Sequence, residues 1–116
     1  MKYRDELLLK INKFIDKKSD FPDFAKEYYQ YYLDEVPDKS LSIIEDTFFG
    51  LVQEKLDWVT ENPSLEEKKH GWADNKTYYE WLLNNTKAFL KDEKKWYQNN
   101  KNFDWDSNQS YNYNLY

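Results

Sequence analysis

Several residue types that build catalytic and metal sites are absent or scarce in this chain. Among its 116 residues there is no cysteine, one histidine and two glycines. The lack of cysteine excludes disulfide bonds and thiolate metal sites. Two glycines are too few for a glycine-rich phosphate loop, and the single His70 has no second histidine at metal-ligand spacing. The sequence therefore predicts no catalytic residue, no metal ion and no cofactor. The alternative is an enzyme in which His70 works with a nearby carboxylate.

Long hydrophobic runs are also missing. The apolar run near the N-terminus, Leu7-Leu8-Leu9, has three residues. A signal peptide needs an apolar core of at least about seven residues, and a membrane-spanning helix needs about twenty. We therefore expect no membrane segment and a cytoplasmic location.

The chain is instead rich in aromatic and charged residues. Hydrophobic residues make up 40% of it, aromatic residues 20% and charged residues 34%. Large aromatic side chains allow a few helices to close a small core. A high charge content with few glycines favours helices over strands or disorder. The predicted fold class is all-α.

The spacing of apolar residues predicts four amphipathic helices. The first covers residues 3–18, and the second follows an N-cap at Ser19 or Asp20 and ends near Pro37. The third covers residues 40–60 and the fourth residues 75–97. Between the last two, Ser64 and Glu67 match a capping box and predict a short helical turn. Short connections indicate an antiparallel four-helix bundle over residues 1–97. Residues 98–116, rich in asparagine and aromatic residues, are predicted to be an extended or frayed tail.

The predicted third helix is the most central, because its apolar residues cover about half of its circumference and Lys55 falls among them. Gly50 lies on its polar side, where a glycine costs about 1 kcal/mol relative to alanine. We interpret Gly50 as neutral drift, as the site of a tight helix crossing, or as a flat position for a partner.

The net charge of −5 is unevenly distributed along the chain. Residues 1–19 contain six basic and three acidic residues, residues 20–66 contain three and twelve, and residues 67–116 contain eight and seven. The middle of the chain therefore carries a charge of −9. Such a block disfavours direct binding of nucleic acid and favours a basic protein partner, although acids also keep a small domain soluble.

The polar sides of the second and third helices are predicted to form one anionic binding face. The candidate partner-binding residues are Asp23, Glu27, Asp34, Asp46, Gly50, Gln53, Glu54, Asp57 and Glu61. A face of this kind attracts a basic partner and accelerates association. The oligomeric state stays open.

The order of apolar residues also resembles a known family. The pattern runs through Phe14-Ile15, Phe21 to Phe24, Tyr28 to Tyr32, Ile43-Ile44, Thr47-Phe48, Leu51, a proline-containing loop, Tyr78-Tyr79, Trp81-Leu82 and Leu90. Over residues 7–90 it is similar to the colicin D immunity proteins and to related immunity proteins of contact-dependent inhibition. The resemblance implies a small acidic four-helix bundle that covers the basic active cleft of a cognate nuclease toxin, often a tRNase. The alternative is another acidic interaction module, such as a nucleic-acid mimic or a regulatory adaptor.

Overall fold

A computed structural model describes residues 2–101 of the chain. The elements over this range are α1 (Lys2–Ile15), α2 (Phe21–Gln30), a π-helix (Tyr31–Glu35), α3 (Ile43–Leu56), α4 (Leu65–Lys69), α5 (Asn75–Lys91) and α6 (Glu93–Asn100). Within it, the β-structure consists of one isolated bridge between Val59 and Ala73. The all-α prediction is therefore confirmed for these residues. The predicted tail lies mostly outside them, from residue 102 onward.

Side-chain caps explain where most of the helices begin. The Asp20 carboxylate accepts a hydrogen bond from the Asp23 amide at 3.1 Å, as predicted for α2. The predicted capping box of α4 is present, because Ser64 and Glu67 exchange hydrogen bonds of 2.9 and 3.1 Å. Asp74 caps α5 through the Thr77 amide at 2.7 Å. This bond from Thr77 lowers the pKa of the Asp74 carboxyl.

The predicted third helix is shorter than expected at both ends. It begins at Ile43, after Ser42 and Glu45 exchange hydrogen bonds of 2.8 and 3.0 Å, and it ends at Leu56. The expected start at residue 40 was wrong because the Ser42-x-x-Glu45 capping box makes Ile43 the first helical residue, three residues later. The predicted fourth helix is in fact two helices, since extended backbone at Asp92 separates α5 from α6.

The chain divides into two compact units, Met1–Gln53 and Glu54–Tyr116, and α3 runs across the boundary between them. In the first unit, aromatic residues join α1 to α2. The Phe14 ring stacks on Phe24 with 4.6 Å between the centroids, and Phe24 lies 5.5 Å from Tyr28. The hydroxyl of the buried Tyr28 donates a hydrogen bond of 2.8 Å to the Phe49 carbonyl of α3. This bond ties α2 to α3 inside the core.

In the second unit, tryptophan side chains pack against other aromatic rings. Trp58 and Trp72 lie 4.9 Å apart beside the Val59–Ala73 bridge. In α6, Trp96 is buried and meets Phe89 of α5 edge-on at 5.7 Å. Its indole nitrogen donates a hydrogen bond of 3.1 Å to the Asn85 side chain. These contacts hold α6 against α5.

Candidate acidic interaction surface

The acidic block of residues 20–66 lies almost entirely at the surface. Eleven of its twelve carboxylates are exposed, and the exception is Glu45. Of its three lysines, Lys26 and Lys39 are exposed, whereas Lys55 is buried. The exposed side chains of this stretch therefore carry eleven negative and two positive charges. The charge imbalance read from the sequence is an imbalance of the surface.

Glu45 differs from the other acids because it has a structural role. Its side chain is 5% exposed and pairs with Arg4 of α1 at 3.0 Å while it caps α3. Burial by itself would raise the pKa of Glu45, but hydrogen bonds from Ser42 and Arg4 outweigh burial and hold that pKa below its usual value. Glu45 therefore joins α1 to α3 and takes no part in the exposed acidic surface.

In the first unit, most of the predicted partner-binding residues lie at the surface. Asp23 and Glu27 of α2, Asp34 of the π-helix and Asp46 of α3 are exposed. Gln53 is 6% exposed, so its predicted position on the solvent side of α3 was wrong. The reason is that α3 is covered more widely than its apolar residues suggested. Between residues 48 and 56, only Gly50 and Glu54 are not buried.

Gly50 makes room for a side chain of the π-helix. A Cβ atom added at Gly50 would lie 3.1 Å from the Tyr32 hydroxyl oxygen. That hydroxyl donates a hydrogen bond of 2.9 Å to the Asp46 carboxylate, and the Tyr32 ring stacks on Tyr28 at 6.0 Å. Of the three interpretations of Gly50, this geometry favours a close approach between elements, here by the Tyr32 side chain.

The π-helix changes the faces predicted for this region. The Val36 amide bonds to the Tyr31 carbonyl, five residues earlier, at 3.2 Å. A turn of this kind is wider than an α-helical turn, so the angle of 100° per residue no longer applies after Gln30. Tyr31 and Tyr32 are half-buried and Leu33 is 50% exposed. The π-helix therefore turns an apolar side chain towards solvent beside the acidic residues.

Two hollows adjoin the π-helix within the first unit. A depression of about 320 Å³ includes Glu27, Asp34, Glu35 and Tyr31 together with Lys10 of α1. Lys10 lies over the Tyr31 ring, 5.0 Å from its centroid, and pairs with Glu6 at 3.0 Å. This depression therefore contains its own cation.

The second hollow is a groove of about 480 Å³, lined by residues of the π-helix, the connection after it and the start of α3. Asp46 and Asp38 bring carboxylates to it, and Lys39 is its one basic lining residue. Leu33 and Ile43 line the same groove and are 50% and 70% exposed. The groove thus combines exposed apolar surface with acidic side chains.

In the second unit, the remaining predicted residues lie at and beyond the end of α3. Glu54, Asp57 and Glu61 are all exposed. Asp57 and Glu61 were predicted to lie on the third helix, but α3 ends at Leu56 and both follow it. Partial desolvation raises the pKa of the Asp57 carboxyl. The prediction that these residues are exposed is confirmed, while their helical placement was wrong.

Lys55 was predicted to lie among the apolar residues of α3, and it is 0% exposed. Its Nζ atom lies over the ring of Trp81 in α5, 5.1 Å from the centroid. Desolvation lowers the pKa of Lys55 from its ordinary 10.5 to about 6. At neutral pH this amine is therefore mostly uncharged, and it does not offset the carboxylates of the surface.

His70 does pair with a carboxylate. Its Nε2 atom lies 3.2 Å from Glu66, one turn earlier along α4, but both side chains are more than half exposed. The pair lies on the open surface of a five-residue helix. In the described range, residues 2–101, no three histidine, cysteine or acidic side chains are grouped so that they could hold a metal ion. In the same range, no helix is both long and apolar enough to cross a bilayer.

Comparison of the chain with protein-family models, with curated proteins and with solved structures gives no match. The resemblance to colicin D immunity proteins thus stays a prediction from the pattern of apolar residues.

Proposed function

We propose that this chain is an immunity protein that binds and neutralises a cationic nuclease toxin, of the kind that cleaves tRNA, in the cytoplasm. The observation that carries the proposal is the surface charge of residues 20–66, which have eleven exposed carboxylates and only two exposed lysines. A nuclease that cleaves RNA lines its cleft with arginine and lysine to hold phosphates. Carboxylates are the protein groups that match those cations, so an acidic surface can occupy the cleft in place of the substrate.

The proposal concerns binding rather than catalysis. The His70–Glu66 pair is open to solvent, whereas an acid–base pair is effective where its surroundings exclude water. The acidic surface, by contrast, fits electrostatic attraction of a basic partner. The proposal includes the finer architecture that the sequence predicts, an antiparallel four-helix bundle.

The test is inhibition of a candidate cationic nuclease domain, chosen from the products of the genes that neighbour the gene of this protein. We expect the wild-type chain to block cleavage of tRNA by the purified nuclease domain. Replacing three exposed acids of the block by lysine (Asp46→Lys, Glu54→Lys and Asp57→Lys together) is expected to weaken inhibition at least about a hundredfold, because each reversal sets like charges against each other.

The matched control reverses three exposed acids outside the block, Asp5→Lys, Asp16→Lys and Glu80→Lys. It changes the net charge of the chain by the same amount, and we expect it to weaken inhibition by less than about tenfold. Thermal unfolding of both variants checks that they fold. Equal loss of inhibition by the two folded variants would contradict the proposal. Tight binding to a basic protein that is not a nuclease would instead favour the alternative function, a regulatory adaptor.

A further inference from the structure

The groove between the π-helix and the start of α3 has the properties of a recognition site for part of a protein chain. Its volume of about 480 Å³ lies in the range of ligand pockets. Leu33 and Ile43 expose half or more of their surfaces there, and Val36 and Leu41 line it from half-buried positions. Exposed apolar surface with a polar rim is typical of interaction sites, because a bound partner removes that apolar surface from water.

Tyr32 and Asp46 line the polar side of the groove. The Tyr32 hydroxyl donates to one Asp46 oxygen at 2.9 Å, which orients the carboxylate at the groove. A carboxylate accepts about four hydrogen bonds, so the bond from Tyr32 leaves capacity for a second donor. Asp38 adds another carboxylate, against the single base Lys39. The same hollow therefore has an aromatic ring, aliphatic walls and an excess of negative charge.

We propose that this groove binds an arginine side chain of the cationic partner, together with one neighbouring apolar residue. Arginine combines an aliphatic stem with a planar cation that stacks on aromatic rings and pairs with carboxylates. The stem fits against Leu33 and Ile43, and the guanidinium pairs with the Asp46 carboxylate beside the Tyr32 ring. The groove holds more volume than one side chain needs, and the apolar neighbour fills the rest. This inference rests on the proposed function, because it names where the basic partner makes contact.

Charge argues against another segment of this chain as the occupant. Residues 102–116 contain two aspartates and no lysine or arginine, so they have no cation for Asp38 and Asp46. The neighbouring depression is a poorer arginine site because Lys10 already lies over its aromatic ring, Tyr31, at 5.0 Å, and because no aliphatic residue lines it. Of these two hollows, the groove therefore fits an arginine with an apolar neighbour better, because it combines carboxylates with exposed aliphatic side chains.

The experiment uses the full chain, labelled with nitrogen-15, and a short probe peptide, acetyl-Gly-Leu-Arg-Leu-Gly-amide. A second peptide carries citrulline in place of arginine, with the same shape and no charge. We expect the arginine peptide to shift the amide signals of Leu33, Val36, Leu41 and Ile43, and the citrulline peptide to bind about tenfold more weakly, since losing a charged hydrogen bond costs about that factor.

Two variants test the two sides of the groove. Asp46→Asn keeps an oxygen that accepts from Tyr32 but removes the charge, and Ile43→Ser removes an apolar wall. Each is expected to weaken binding of the arginine peptide about five- to tenfold. The controls, Asp16→Asn and Leu9→Ser, likewise remove a carboxylate charge and an aliphatic side chain at exposed positions of the same unit outside the groove, and binding should stay within about twofold.

The proposal is overturned if the peptide shifts signals elsewhere, if citrulline binds equally well, or if no signal moves at millimolar peptide. Measuring the same variants against the nuclease domain separates this proposal from the function. If Asp46→Asn and Ile43→Ser leave the affinity for the nuclease domain unchanged, the groove is not the contact site, but the proposed function stands. If the peptide binds in the groove but the chain forms no complex with the nuclease domain, the proposed function is wrong and the groove remains an arginine site.

Discussion

At the scale of single residues, the burial of Lys55 makes the stability of the fold depend on pH. It is completely buried in α3, with its amine over the Trp81 ring. Its pKa falls from 10.5 to about 6 on folding. The unfolded chain therefore binds a proton that the folded chain releases between these two values. Stability contributed by this group is complete above pH 10.5 and is lost as the pH falls towards 6.

Replacing Lys55 by methionine is therefore expected to remove a pH dependence from the free energy of unfolding. Methionine fills a similar volume without an ionisable group. Between pH 7 and pH 9 the wild-type chain should gain about 2.7 kcal/mol relative to Lys55→Met, because each pH unit is worth about 1.4 kcal/mol. At pH 7 the variant should be the more stable protein.

The measurement is urea unfolding of both proteins at several pH values. Taking the difference between them cancels the contributions of all other titrating groups, including Tyr31, whose pKa is raised by partial desolvation and by the nearby Glu6 carboxylate. Parallel profiles for wild type and Lys55→Met would mean that Lys55 keeps an ordinary pKa in the folded protein.

At the scale of elements, the π-helix packs on α3 where the Tyr32 side chain lies against Gly50. The Tyr32 hydroxyl lies where an alanine methyl group at position 50 would press against it, at 3.1 Å. Alanine would otherwise stabilise a helix by about 1 kcal/mol relative to glycine. The cost of the contact and the gain in helix propensity therefore oppose each other.

A double-mutant cycle separates these two effects. We expect Gly50→Ala to give little gain in the wild-type chain, because Tyr32 must shift and its bond to Asp46 lengthens. In a Tyr32→Phe background the hydroxyl is gone, and the same change should stabilise the protein by up to about 1 kcal/mol. Chemical denaturation of the four proteins gives the coupling. Equal effects of Gly50→Ala in the two backgrounds would show that Tyr32 does not restrict position 50.

The local elements show how far the sequence predicts this fold. Asp20 is one of the two N-caps predicted for α2, and the predicted Ser64–Glu67 capping box is present, because a cap depends on a few consecutive residues. The Ser42–Glu45 pair has the same spacing, so the true start of α3 was also readable from the sequence. The π-helix was not, since nothing in the apolar spacing of Tyr28 to Tyr32 distinguishes it from an α-helix.

The candidate site was predicted in part for a similar reason. Asp23, Glu27, Asp34, Asp46 and Glu54 are exposed as predicted, because charged side chains on the polar side of a helix stay in water. Gln53 is buried, since a neutral amide can enter a core when neighbouring elements cover more of the helix than its apolar residues require. The groove beside the π-helix was missed because it depends on the π-turn and on the connection that follows it.

At the scale of the whole molecule, residues 20–66 give the surface an excess of negative charge. Eleven exposed carboxylates accompany two exposed lysines, and the third lysine is buried with a lowered pKa. Charge of one sign destabilises a folded chain through self-repulsion, so a function that uses it is a natural reason for its presence. We propose that this use is attraction of an oppositely charged partner, which would act first on the rate of association.

The most direct test is therefore the association rate constant between this chain and the cationic nuclease domain, measured by stopped-flow fluorescence at increasing salt. Raising the salt from about 20 mM to about 500 mM should slow wild-type association at least about tenfold, because the screening length falls severalfold. The Asp46→Lys, Glu54→Lys, Asp57→Lys variant should associate slowly at all salt concentrations. A wild-type rate that does not change with salt, or a triple variant that associates as fast as wild type, would contradict the central claim.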